Sequence, residues 1–146
     1  MGVEILGHRV HPMLVGLPIG LLVGSVVFDV ALMATDEPRW ADVSFWTLGL
    51  GIVSGLIAAP FGTIDRLGIP SGAPAKHIGL WHGVAAVLSV ALFAASWTLR
   101  YQSPPTPTTL ALGLSAAAVV LLAIAGWLGG ELVFRHGVGV HRGVAD

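Results

Sequence analysis

The chain has 146 residues, of which 55% are hydrophobic and only 10% charged, with a mean hydropathy of +0.85 and a formal net charge of -1. A soluble domain needs roughly a quarter of its residues charged to solvate its surface, so this composition describes a chain solvated by lipid. No basic run offers a footprint for nucleic acid, and the absence of cysteine excludes disulfides, thiolate metal sites, iron–sulfur clusters and thioether-linked haem.

Crossing about 30 Å of hydrocarbon takes about 20 mainly apolar residues, and four stretches reach that length, at about 12–34, 42–63, 78–99 and 108–131. The short basic start resembles a signal peptide, but it lacks a clear A-x-A cleavage site and further spans follow, so it is expected to be retained. The first span carries one ionisable residue, Asp29, and ends at the hairpin connection Thr35–Arg39. The second begins after Asp42, and Pro60 and Gly62 are expected to loosen its last turn before Asp65 and Arg66 mark the exit. Gly68 to Pro74 reads as a loop, and Arg100 closes the third span. Ser103-Pro104-Pro105-Thr106-Pro107 cannot continue a helix, and Thr108 or Thr109 can cap the fourth span. Short connections force an up-down-up-down arrangement, so the expected fold is a single all-α domain over residues 1–146, an integral-membrane four-helix bundle. No tandem repeat is evident.

Arg9, Arg66, Lys76, Arg135 and Arg142 fall on one side, against Arg39 and Arg100 on the other, which places both termini in the cytoplasm. Trp40, Trp46 and Trp97 lie near the opposite interface, as an aromatic belt would. Glycines at four-residue spacing (Gly16, Gly20, Gly24; Gly51, Gly55; Gly126, Gly130) let backbones approach. Packing within the bundle is the favoured use for them, with homo-oligomerisation as the alternative.

The four-span topology sends His8, His11, His77, His82, His136 and His141 to one face, together with Asp65 and Glu131. Imidazole is a common ligand of haem iron, zinc and copper, and carboxylates can complete a metal site or orient its ligands. His11 and His82 enter parallel helices at similar depth and suit a bis-histidine haem b, with His8 close by. His82, His136, Asp65 and Glu131 form an alternative mixed site for zinc, iron or another transition metal. An imidazole at headgroup level needs no partner but water, and His77 and His82, five residues apart, point about 140° away from each other on a helix. Asp29 lies about 24 Å from the histidines along its helix, where it can bond a neighbouring helix or act in a proton relay. Glu131 and Arg135 can pair at i, i+4, and Asp65 can pair with Arg66 or Arg135.

Several segments carry a family resemblance: Gly7-His8, His11-Pro12-Met13-Leu14-Val15, Pro18-Ile19-Gly20, Phe28-Asp29, Ala59-Pro60-Phe61-Gly62 with Asp65, His82-Gly83, and above all Gly126-Trp127-Leu128-Gly129-Gly130-Glu131-Leu132-Val133 followed by Arg135-His136-Gly137-Val138-Gly139-Val140. The chain resembles, over nearly its whole length, the bacterial membrane proteins grouped as domain of unknown function 2231. The resemblance implies a four-span inner-membrane protein, and fusions of related domains to Rieske-type or cytochrome-like modules suggest a redox setting. Members often carry Pro after the first histidine, where this chain has Arg9, and some carry a further histidine where it has Gly16.

These features point to an inner-membrane protein that binds haem b or a transition metal for electron transfer with quinone or a redox protein. A small proton or cation channel or transporter is the alternative, followed by an assembly subunit without cofactor. No nucleophile or H-E-x-x-H motif is present, so a stand-alone enzyme is not expected.

Overall fold

The computed structural model describes residues 2–102 and 106–140, without the side chain of Gln102. His141 and Arg142, and the prolines 104 and 105, lie outside the described residues. A two-residue hairpin, β1 (Glu4–Ile5) and β2 (His8–Arg9), precedes α1 (Val10–Leu14), α2 (Gly16–Thr35), α3 (Arg39–Leu67), α4 (Pro74–Gln102) and α5 (Thr109–Gly130), which runs into a π-helical turn, Glu131–Arg135. Four spans long and apolar enough to cross a membrane result, because α1 and α2 together make one.

The break at Val15 has a local cause. Pro18 lacks the N–H that the Leu14 carbonyl would accept, so α1 stops and the chain re-enters a helix at Gly16. Pro60, by contrast, does not end α3, which continues to Leu67. Its exit is capped instead by Lys76, whose Nζ donates to the carbonyls of Arg66 (2.9 Å), Leu67 (3.3 Å) and Ile69 (2.9 Å). Pro74 fits the first position of α4, where no N–H is needed, so that helix begins before Lys76. At 29 residues each, α3 and α4 are about 43 Å long and overreach the hydrocarbon, which demands tilt or projecting ends. Thr108 caps α5 by accepting a bond from the Ala111 N–H at 3.2 Å.

The helices pack chiefly as two antiparallel hairpins, α2 with α3 and α4 with α5. In the second, His82, Ser89 and Ser96 recur every seventh residue and donate to the carbonyls of Ala125 (2.8 Å), Ala118 (2.8 Å) and Ala111 (2.7 Å), which also recur every seventh residue. Heptad spacing keeps one seam facing the partner helix, and side-chain bonds to backbone serve as glue where lipid removes the hydrophobic drive. The first hairpin shares part of this construction: His11 donates to the Ala58 carbonyl of α3 at 3.1 Å, whereas Ser25 donates within its own helix to Leu22 (2.7 Å) and its carbonyl accepts from Ser44 of α3 (3.0 Å). Asp29 and Arg100 are 71 residues apart, and so are His11 and His82, Leu22 and Phe93, Ser25 and Ser96, and Ser44 and Ser115. Leu22 and Phe93 are both fully buried and share the central apolar cluster with Leu48, Ile52 and Ala118. The chain is therefore two similar hairpins in tandem, contrary to the sequence reading. The offset is not uniform, since Ala58 and Ala125, like Gly62 and Gly129, are 67 residues apart and Pro18 stands at the position corresponding to Ser89, which hides the correspondence in the sequence.

The glycine stripes divide in use. A Cβ on Gly51 would sit 2.7 Å from Leu22 Cδ2, and one on Gly55 3.4 Å from Val90, whereas Gly16, Gly20 and Gly126 have no neighbour within 4 Å. Only the α3 pair serves close packing inside the bundle.

Candidate functional site at the histidine end

His11 sits on α1, just before the Pro12-containing turn, and donates Nδ1–H to the Ala58 carbonyl of α3 at 3.1 Å. His82, about two turns into α4, donates Nδ1–H to the Ala125 carbonyl of α5 at 2.8 Å. A carbonyl only accepts, so both rings hold the same tautomer, with Nε2 as the lone-pair nitrogen. No hydrogen bond reaches either Nε2 among the described residues. Each acceptor carbonyl lies four residues before a glycine on which the ring rests. A Cβ on Gly62 would fall 2.7 Å from His11 Cε1, and one on Gly129 3.2 Å from His82 Cε1. The two half-buried rings face each other across the seam between the hairpins, with centroids 6.3 Å apart and planes at 81°.

Three of the four spans are irregular at this end: α1 breaks before α2, α3 contains Pro60, and α5 becomes a π turn closed by the His136 N–H on the Glu131 carbonyl at 3.3 Å. The chain then reverses at Gly137 (φ 64°), where the Val138 N–H bonds the Leu132 carbonyl at 2.9 Å. Val138 tucks under the small cluster of Ile69, Ala75 and Leu132. On the other flank, Arg9 ties the N-terminal hairpin down. Its Nη1 donates to Asp65 at 3.1 Å, and its Nε lies 3.0 Å from Glu4 Oε1, close enough for attraction though not aimed as a hydrogen bond.

The other residues expected here are placed differently. His8 is exposed, and its Nδ1–H returns to the Leu6 carbonyl at 3.0 Å; with Met13 it borders an open cleft of about 410 Å³. Asp65 pairs with Arg9 rather than with Arg66 or Arg135. Glu131 pairs with Arg135 at 2.7 Å on its own helical turn. His136 borders a cavity of about 250 Å³ that Arg9 and Asp65 also line, and His77 is exposed. No three His, Asp or Glu side chains among the described residues converge as a metal site. The grouping of His82, His136, Asp65 and Glu131 is therefore not assembled, because an arginine takes up each carboxylate.

At the opposite end, Asp29 is buried and bound by Arg100 through two contacts, Nη1 to Oδ1 at 2.6 Å and Nη2 to Oδ2 at 2.7 Å. Ser44 donates to Asp29 Oδ1 at 2.6 Å, while Arg100 donates to Ser44 (2.9 Å), Ser96 (3.2 Å) and Ser115 (3.1 Å). All four spans contribute to this network. In the sequence Arg100 reads as the end of the third span and as a basic residue of that side; the 71-residue offset from Asp29 and the heptad of His82, Ser89 and Ser96 are the signals that point further.

Neither a characterised protein nor a solved structure matches the chain. The matching family covers residues 7–142, from the N-terminal hairpin to the tail beyond the π turn. With four apolar spans and that coverage, the chain belongs to the family described as predicted membrane protein (DUF2231).

Proposed function

We propose that the histidine end is a cofactor site, with His11 and His82 holding haem b or a transition-metal ion for electron transfer with quinone or a redox protein. The observation that carries this reading is the pair itself: two imidazoles of fixed tautomer, each leaving Nε2 without a protein partner, face each other between the hairpins. Ligating histidines commonly give their other ring N–H to a carbonyl in this way. The donor set fits such a group, which would supply one-electron chemistry when bound. The chain's own part is to fix the ring nitrogens through the Ala58 and Ala125 carbonyls. The clustering of helix irregularities at this end, including a π turn, agrees, since such turns are frequent at functional sites.

A transport role draws less support. Leu22, Leu48, Phe93 and Ala118 fill the middle of the bundle, and Asp29 is already matched by Arg100, which leaves little for a hydrated path. We place the protein in a bacterial inner membrane with both termini in the cytoplasm. Arg100 is neutralised by Asp29, so Arg39 is the remaining basic residue at its end among the described residues, against Arg9, Arg66, Lys76 and Arg135 at the other.

The test is an absorption spectrum, oxidised and reduced, with elemental analysis on the same detergent-purified sample. About one haem or redox-active metal per chain is expected. A protein that binds neither, even when haemin or metal is added, would not carry this function.

A further inference from the structure

We infer that His11 and His82 are equivalent ligands, each through Nε2, of a single haem iron, and that Gly62 and Gly129 are the positioning residues that make the two equivalent. This inference rests on the cofactor reading above and narrows it to one group and one coordination mode.

Three observations lead there. The first is the inventory of donors. A bare zinc or iron ion needs four or more ligands, but no third His, Asp or Glu joins the pair among the described residues, and Asp65 and Glu131 are held by arginines. A macrocycle that brings four in-plane nitrogens asks only two donors of the protein. The second is span. Two metal–nitrogen bonds of roughly 2 Å, plus about 1 Å from each nitrogen to its ring centre, come to about 6 Å. The observed centroid separation is 6.3 Å.

The third is the repeated construction of the two halves. His11 and His82 occupy corresponding positions 71 residues apart, and each meets the same pair of features on its partner helix, an accepting backbone carbonyl and a glycine four residues later. The carbonyl fixes the tautomer. The glycine lets the ring lie against the helix backbone: a methyl group on Gly62, 2.7 Å from His11 Cε1, would displace that ring, and one on Gly129, 3.2 Å from His82 Cε1, would push its ring out by a few tenths of an ångström. Two donors of one kind, presented alike by two like hairpins, suit a group with two like axial positions. Held by His11 and His82 in this way, a haem would supply one-electron chemistry, which fits an electron carrier.

The test uses the full chain in detergent, as expressed and after addition of haemin, read by optical and electron paramagnetic resonance spectra. A low-spin ferric signal at one haem per chain is expected. His11→Gly and His82→Gly should each convert it to high spin, to a similar extent, with added imidazole restoring low spin. Gly62→Ala and Gly129→Ala should weaken haem retention roughly 10- to 100-fold, the range for loss of a ligand's outer support. Circular dichroism and gel filtration check that each variant is folded. A high-spin haem in the unmodified protein, or a low-spin signal that survives loss of either histidine, overturns the inference while leaving a haem protein. Stoichiometric metal without haem overturns it and retains the cofactor reading; no haem and no metal overturns both. The spin state of the unmodified protein is informative even if every variant fails to fold.

Discussion

Asp29 and Arg100 stand at corresponding positions of the two hairpins and close on each other as a two-pronged ion pair, 2.6 and 2.7 Å long, inside a ring of serines from all four spans. At the other end of the same two spans stand His11 and His82, also at corresponding positions, but of like chemistry. Two opposite charges satisfy each other and need no third party. Two imidazoles with their Nδ1–H groups bound each leave Nε2 without a partner among the described residues, and that difference divides the bundle into a structural end and a candidate site.

Breaking the ion pair on one side leaves a charge without its partner in a water-poor interior. Arg100→Met alone should lower stability by about 3–5 kcal/mol, read as a lowered midpoint of thermal or denaturant unfolding in detergent. The double variant Asp29→Leu with Arg100→Met should recover most of that loss, since replacing both members of a buried pair by apolar groups is often neutral. Equal losses in the single and double variants would show that the charge pair is not what joins the hairpins.

The glycines differ in what they tolerate. Gly51→Ala should cost about 1–3 kcal/mol, because its new methyl group would press on Leu22 at 2.7 Å with the Leu22 backbone N only 3.2 Å away. Gly20→Ala meets nothing within 4 Å and improves helix propensity, so it should leave unfolding unchanged or slightly favour the fold. A large loss at Gly20 would reveal a packing surface that one chain does not itself occupy.

Arg9→Ala removes the tie between the N-terminal hairpin and α3. Both side chains are partly exposed, so global stability should change by about 1 kcal/mol or less. Local opening should change more: amide exchange at residues 3–10 should speed up while α4 and α5 stay protected. Unchanged exchange at Val10, whose N–H bonds the Val3 carbonyl at 3.0 Å, would mean that backbone bonds alone hold the hairpin.

The absence of native cysteine makes orientation simple to read. In intact spheroplasts an impermeant maleimide should label Glu37→Cys and spare Ser71→Cys, with Ser71→Cys labelled once the membrane is opened. The reverse pattern would place the histidine end outside.

The sequence by itself determined the membrane class, the four spans and the alternation of direction, because those depend on one-dimensional quantities: apolar length against bilayer thickness, and loops too short to cross. It also identified the local Glu131–Arg135 pair, which needs only helical spacing. Span ends were less legible, since Lys76 capping α3 and Pro74 opening α4 lengthen both helices beyond their apolar limits. What only the tertiary structure decided was partnership across helices. Whether Asp65 meets Arg9 or Arg66, whether Arg100 ends a span or neutralises Asp29, and which two of the histidines face each other depend on the rotation and register of neighbouring helices. In a bundle apolar on every side, no amphipathic pattern records that rotation; it is fixed by where a few serines, glycines and carbonyls can satisfy one another.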